Sequence, residues 1–188
     1  MKKLFIMALL TLGFTFITNA QEVSFGVKGG ANLANFVGDD LSADMKLGPH
    51  FGALAEIMFT DKFGVQPELI FSVQGAQQDF GDETLKENLN YINLPIMAKY
   101  YVTKGLSLEA GLQFGTLLSA KIKVDGETED VEDIKGLDIS FGTGVGYKLD
   151  SGLNFTLRSN FGLSNIYKDS DDDKIRNSVL QFSVGYMF

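Results

Sequence analysis

The sequence predicts an all-β chain: an eight-stranded antiparallel up-and-down transmembrane β-barrel after a cleaved signal peptide. Three observations predict it. From Val23 onward apolar and polar residues alternate with period two, the period of a strand. The connections between the alternating segments are in turn long and short, as in a meander with one ragged and one neat end. Lys2 and Lys3, an uncharged apolar run from Leu4 to Ile17, and the small-residue triplet Thr18-Asn19-Ala20 open the chain in signal-peptide order.

The leader comes first. Its apolar run is too short to span a bilayer, which takes about 20 residues. Residues 1–20 are therefore read as the signal peptide and 21–188 as the barrel, with cleavage between Ala20 and Gln21. Losing the leader removes two lysines and no acid, so the net charge deepens from −8 to −10. No later run is long enough for a membrane helix. Mean hydropathy is only +0.06 and charged residues make up 21%. That acidic balance excludes a nucleic-acid binder, whose affinity rests on Lys and Arg meeting phosphates. The absence of Cys excludes disulfides, thiolate metal sites and a cysteine nucleophile.

Eight segments then follow, at about 23–36, 47–60, 63–79, 90–103, 106–122, 137–149, 153–166 and 176–188. The first sets Val23, Phe25 and Val27 against Ser24, Gly26 and Lys28. The last sets Leu180, Phe182, Val184, Tyr186 and Phe188 against Gln181, Ser183 and Gly185. Several segments exceed the common strand length of about 5–6 residues and suit a wall crossing something thick, where about 9–11 are needed. Asp61-Lys62, Thr103-Lys104-Gly105 and Asp150-Ser151-Gly152 are short turns with Gly and Asp chemistry. Residues 37–46, 80–89, 123–136 and 167–175 are long, polar, acidic loops. An even strand number puts both termini at the short-turn end.

The faces decide which solvent the barrel meets. Lys28, Glu56, Glu68, Lys99, Glu109, Lys148 and Arg158 all fall on the less apolar face of their strands. A soluble barrel would show that face to water; a membrane barrel would fold it inward as a paired network. Three features favour the second. The opposite face carries no charge in the strand centres. The polar face carries many glycines, which a solvated strand has little use for but a crowded lumen can exploit. The aromatic residues form two levels on the apolar face. Phe25, Phe59, Phe63, Tyr100, Tyr147, Phe155, Tyr186 and Phe188 sit near the short turns, and Phe51, Phe71, Phe114, Phe141, Phe161 and Phe182 sit further up.

Pro67 and Pro95 lie inside strands, where each removes a ladder donor, so a local bulge or break is expected at each. The same stretches, Gly64-Val65-Gln66-Pro67-Glu68-Leu69-Ile70-Phe71-Ser72 and Tyr91-Ile92-Asn93-Leu94-Pro95-Ile96-Met97-Ala98-Lys99-Tyr100-Tyr101, resemble the middle of the outer membrane protein beta-barrel family. That family is common in Bacteroidota, and its members are often labelled porin-family or PorT-like. The opening Gly26-Val27-Lys28-Gly29-Gly30-Ala31-Asn32 is similar to the family's first strand. The resemblance implies an eight-stranded barrel of the Gram-negative outer membrane with no enzyme chemistry. The Ala20-Gln21 junction resembles cleavage sites of that phylum. The last strand, with Phe182, Val184, Tyr186 and a terminal Phe188, resembles the signal read by the outer-membrane assembly machinery.

A search for chemistry returns little. His50 is the only histidine, so triads and zinc sites lack their partners; it is read as a residue of the outer rim. Glu56, Glu68 and Glu109 form an acid/base set on paper, but the favoured reading pairs them with Lys28, Lys99, Lys148 and Arg158. Asp169, Asp171, Asp172 and Asp173 crowd one loop as a weak Ca²⁺ candidate that lacks the glycine and distal glutamate of an EF-hand. No catalytic residue and no cofactor is expected. The expected partners are outer-membrane lipid and lipopolysaccharide, the assembly machinery, and an unidentified protein or small-molecule ligand at the loops. The first functional reading is a structural or interaction barrel with its lumen filled by side chains and its acidic loops outside. The alternatives are a narrow porin-like channel for small solutes and a soluble periplasmic ligand-binding β-barrel.

Overall fold

The computed structural model describes residues 22–38, 41–42, 44–80, 83–124, 127–131, 133–168 and 174–188. The expected signal peptide, with its Ala20–Gln21 junction, lies outside them. Eight long strands run in chain order: β1 Glu22–Gly38, β2 Asp44–Met58, β3 Phe63–Gln74, β4 Glu83–Tyr101, β5 Leu106–Val124, β6 Leu137–Lys148, β7 Leu153–Gly162 and β8 Arg176–Met187. Each pairs antiparallel with its sequence neighbour. β1 closes the sheet against β8, from Gly26 opposite Met187 to Val37 opposite Arg176. Closure leaves no edge strand, so every backbone donor and acceptor of the wall can be met within the wall.

One end is tight. Val102 N–H donates to Leu106 O at 2.9 Å and Leu149 N–H to Leu153 O at 2.8 Å, each closing a short turn. The other end differs from expectation. The segments 37–46, 80–89 and 123–136 are not simply loops. β1 runs on to Gly38, β4 begins at Glu83, and the short strands Leu41–Ser42, Ala76–Phe80 and Glu127–Asp130 fold back on the ladder. Polar residues had marked these segments as connections, but the ladder continues once the hairpins leave the apolar band, because polarity does not disfavour pairing. The segment 63–79 breaks at Gly75, whose φ of 121° suits glycine. The segment 153–166 leaves the wall after Gly162.

The prolines act as breaks rather than bulges. Residues 55 and 56 of β2 and 66 and 67 of β3 drop out of the pairing around Pro67, and 68–69 and 94–95 drop out between β3 and β4, both without a change of register. The register shift falls elsewhere. Tyr91 pairs Leu117 and Asn90 pairs Ser119, leaving Leu118 as the extra residue of β5. Beyond it the phase of β5 inverts, and Ala120 turns inward.

Polarity is inverted relative to a water-soluble protein. Leu69 is 56% exposed, Phe182 51% and Leu157 46%, whereas Arg158 is fully buried. Around the middle of the barrel the outward positions of all eight strands form an uncharged apolar belt. Its lower level carries Phe25, Phe59, Phe63, Tyr100, Tyr147, Phe155, Tyr186 and Phe188, all exposed. A belt of this kind has lipid as its solvent. An arginine at Leu94, midway along the outward face of β4, should therefore cost about 2–4 kcal/mol, and one at Asn88 near the end of the belt about 0–1. Reversible urea unfolding from lipid vesicles measures both.

Candidate functional site in the barrel lumen

β-Alternation sends every second side chain inward, and the structure brings all seven predicted strand charges into one lumen. Toward the short-turn end Glu56 is held by Lys99 and Lys148, each 2.7 Å away, and by the Tyr101 hydroxyl, which donates at 2.7 Å. Both lysines also lie over the Tyr101 ring, at 5.3 and 5.6 Å from its centre. At mid-height Arg158 grips Glu68 with two bonds, at 3.0 and 2.7 Å, and donates from Nε to Glu109 at 2.6 Å. Lys28 Nζ reaches Glu68 at 2.7 Å. Gln66 bridges the two groups: it accepts from Lys99 at 3.0 Å and donates to Glu68 at 2.6 Å.

Glycine makes room for these ions. Gly144 stands between Glu109 and Arg158 in the ladder, and a Cβ there would meet Glu109 Oε1 at 2.9 Å. Its missing side chain lets the guanidinium reach across the strand. The mid-height group balances two cations with two carboxylates. The lower group has two cations for one carboxylate. Its Lys148 keeps about a third of its side chain exposed, so the surplus charge sits where water reaches it.

Above the ions lies a neutral layer. Asn32 donates to Ser72 at 2.9 Å, and Gln181 donates to Asn32 at 3.0 Å. His50 belongs here and not at the rim. It is buried, with Nε2 at 2.8 Å from Ser183 Oγ. The inward phase of β2, which also carries Leu54 and Glu56, places it inside.

Among the described residues, the long-connection end is filled by apolar packing that the sequence reading missed. Phe36, Leu89, Tyr91, Ala120, Ile134 and Ile166 form a buried cluster across the mouth. The connections after β5 and β7 reach into it. Lys135 N–H donates to Ile166 O at 2.7 Å, and Ile134 bridges Tyr167. Tyr167 donates to Glu87 at 3.1 Å; burial and the nearby carboxylate push its phenol well above the ordinary range, so it stays a donor. Isolated apolar residues in an acidic stretch gave one faint signal: Val131 and Ile134 sit where solvated loops have no use for them. The short-turn end is open. A cavity of about 480 Å³ has Glu22, Ser24 and Lys104 at its rim and Glu56, Tyr101 and Lys148 at its floor.

Asp169, Asp171, Asp172 and Asp173 lie outside the described residues. Among the described residues no group of acids or histidines is arranged to hold a metal ion. Phe182, Val184, Tyr186 and Phe188 line up on the outer face of β8 and past its end, all exposed.

Residues 19–168 match the profile of the outer membrane protein beta-barrel domain family. A search of the curated proteins finds no match. Among solved structures the fold is similar to Neisserial surface protein A, with TM-score 0.60 and 13% identity over 89% of this chain and 99% of that one. It is also similar to the attachment invasion locus protein Ail of Yersinia pestis, with TM-score 0.57 and 14% identity over 89% and 99%. The structure of Ail in a phospholipid bilayer nanodisc matches at TM-score 0.50 and 14% identity, over 89% and 100%.

Breaking the mid-height group should be non-additive. Arg158→Met alone leaves Glu68 and Glu109 short of a cation and should cost about 3–5 kcal/mol. Adding Glu68→Met restores balance between Lys28 and Glu109, so the double variant should lose clearly less than the sum of the singles. Urea unfolding of the four-member cycle reads the coupling; additive losses would mean the ions do not act together.

Proposed function

The chain belongs to the outer membrane protein beta-barrel domain family, and from that membership we propose a sealed barrel with a structural and interaction role, presenting its capped end to the outside. One observation supports the reading: among the described residues the lumen is filled by side chains at mid-height. Arg158 and Glu68 have no exposed side-chain surface there, and an apolar cluster packs above them. Eight strands leave room for side chains or one small ligand, not for an aqueous channel. The short-turn end, with both termini, faces the periplasm in this reading, after removal of residues 1–20 at Ala20–Gln21. The motifs around Pro67 and Pro95 further suggest the PorT-like branch found in Bacteroidota. Partners then meet the acidic hairpins, as a protein or small molecule at the outer surface. No catalytic role is proposed: His50 and Ser183 touch, but both are buried.

The narrow channel is the second reading, favoured by the open lower cavity. Planar-bilayer recording separates the two. The sealed barrel should give no steady unitary steps; reproducible steps with ion selectivity would establish the channel instead.

The assembly reading rests on β8 and Phe188. Phe188 is 78% exposed and touches Tyr186 edge-on at 5.7 Å, so it adds little to the packed wall. Phe188→Ala should leave refolding in detergent intact, while the yield of heat-modifiable barrel in membranes falls several-fold. Equal membrane yields would remove the targeting role.

A further inference from the structure

The outward face of β4 and β5 changes character in steps. Tyr100 and Leu108 form its lowest aromatic rung, and the pairs Ile96–Leu112, Leu94–Phe114 and Ile92–Thr116 continue the belt. The next rung is polar: Asn90 donates to Ser119 at 2.9 Å. Above it come Asn88 opposite Lys121, then Lys86 opposite Lys123. All three lysines are exposed, while their strand neighbours Glu87 and Ile122 turn the other way. They therefore share the face that lower down meets lipid.

Two lysines directly opposite each other in a ladder repel, and this face offers little relief. Asp130 lies 3.9 Å from Lys121, a loose pair half open to water. Thr128 faces Lys123, and Gln77 faces Lys86, both neutral. Glu127 and Glu129 sit opposite Val124 and Ile122, on the other phase of the ladder. Among the described residues the patch holds three cations and one carboxylate, on a chain that is acidic as a whole. It stands just beyond the polar rung that ends the apolar belt, at headgroup level, where long lysine stems lie along the wall and place their ammonium groups in the interface.

We propose that Lys86, Lys121 and Lys123 form a phosphate-binding cradle, and that its occupant is the phosphorylated headgroup of an outer-leaflet glycolipid. The bridging anion removes the repulsion between Lys86 and Lys123. It also ties the β4–β5 hairpin, which carries Glu87 and Ala120 of the cap, to the membrane surface. The choice of leaflet rests on the orientation proposed above; the cradle itself does not.

The test uses refolded residues 21–188 in neutral detergent micelles doped with bisphosphorylated lipid A or its dephosphorylated form, with bound lipid read by native mass spectrometry. Micelles have no sidedness, so the result judges the cradle, whereas protease access to the hairpins in intact cells judges the orientation. The wild-type barrel should retain the bisphosphorylated lipid in clear preference. K86Q/K121Q/K123Q should lower that retention about tenfold or more. K104Q, at the opposite mouth, should leave it unchanged. Heat-modifiable mobility certifies that each variant is folded, and K86Q/K123Q carries the same comparison should the triple variant fail to fold. Equal retention by wild type and folded lysine variant overturns the site. Equal retention of both lipids overturns the phosphate chemistry. Loss of the bound lipid at millimolar inorganic phosphate overturns the glycolipid as occupant.

Discussion

The pairing of Arg158 with Glu68 and Glu109 at the centre of the lumen is the contact on which the rest depends. A small closed barrel has no room for bulk water in its interior, so the polar side chains that alternation sends inward must pack against one another. The ions placed inward must neutralise one another at close range, because an unpaired charge there has neither water nor lipid headgroup to meet. All seven charges reach a carboxylate or cation contributed by a strand that is not their neighbour in sequence. Lys28 on β1 and Arg158 on β7 both hold Glu68 on β3. The network therefore ties opposite walls together, which backbone ladders alone do not do.

This central tie sets the use of space around it. Glycine appears beside the largest ion: Gly144 stands next to Arg158 in the ladder, and a Cβ there would meet Glu109 Oε1. A glycine in a strand normally weakens it, and here the compensation is a guanidinium that reaches its partner. Below the tie the surplus cation meets water at the open mouth. Above it the ions give way to amides and hydroxyls, and then to an apolar cap.

The cap depends on a departure from regular alternation. Leu118 bulges from β5 and turns Ala120 inward, so a hairpin that left the apolar belt with one phase packs its interior with the other. The same inversion leaves Lys121 and Lys123 on the outside. One extra residue thus separates the apolar inner face of the hairpin from its basic outer face.

The sequence by itself determined the strand number, the up-and-down order, and which residues face inward where alternation runs unbroken, because period-two alternation is a local property that each strand carries alone. Lys28, Glu56, Glu68, Lys99, Glu109, Lys148 and Arg158 could be grouped on one face from parity. What parity does not contain is which strands stand opposite across the lumen, or how far one is staggered against the next. Only the closed barrel decided that Arg158 takes Glu68 and Glu109 while Lys99 and Lys148 share Glu56, that Gln66 joins the two groups, and that His50 lies inside against Ser183. It also decided the bulge at Leu118 and the inward fold of Ile134 and Ile166. Those choices are made between residues up to 133 positions apart, as for His50 and Ser183. They depend on the distance across a barrel whose width is fixed by all eight strands together.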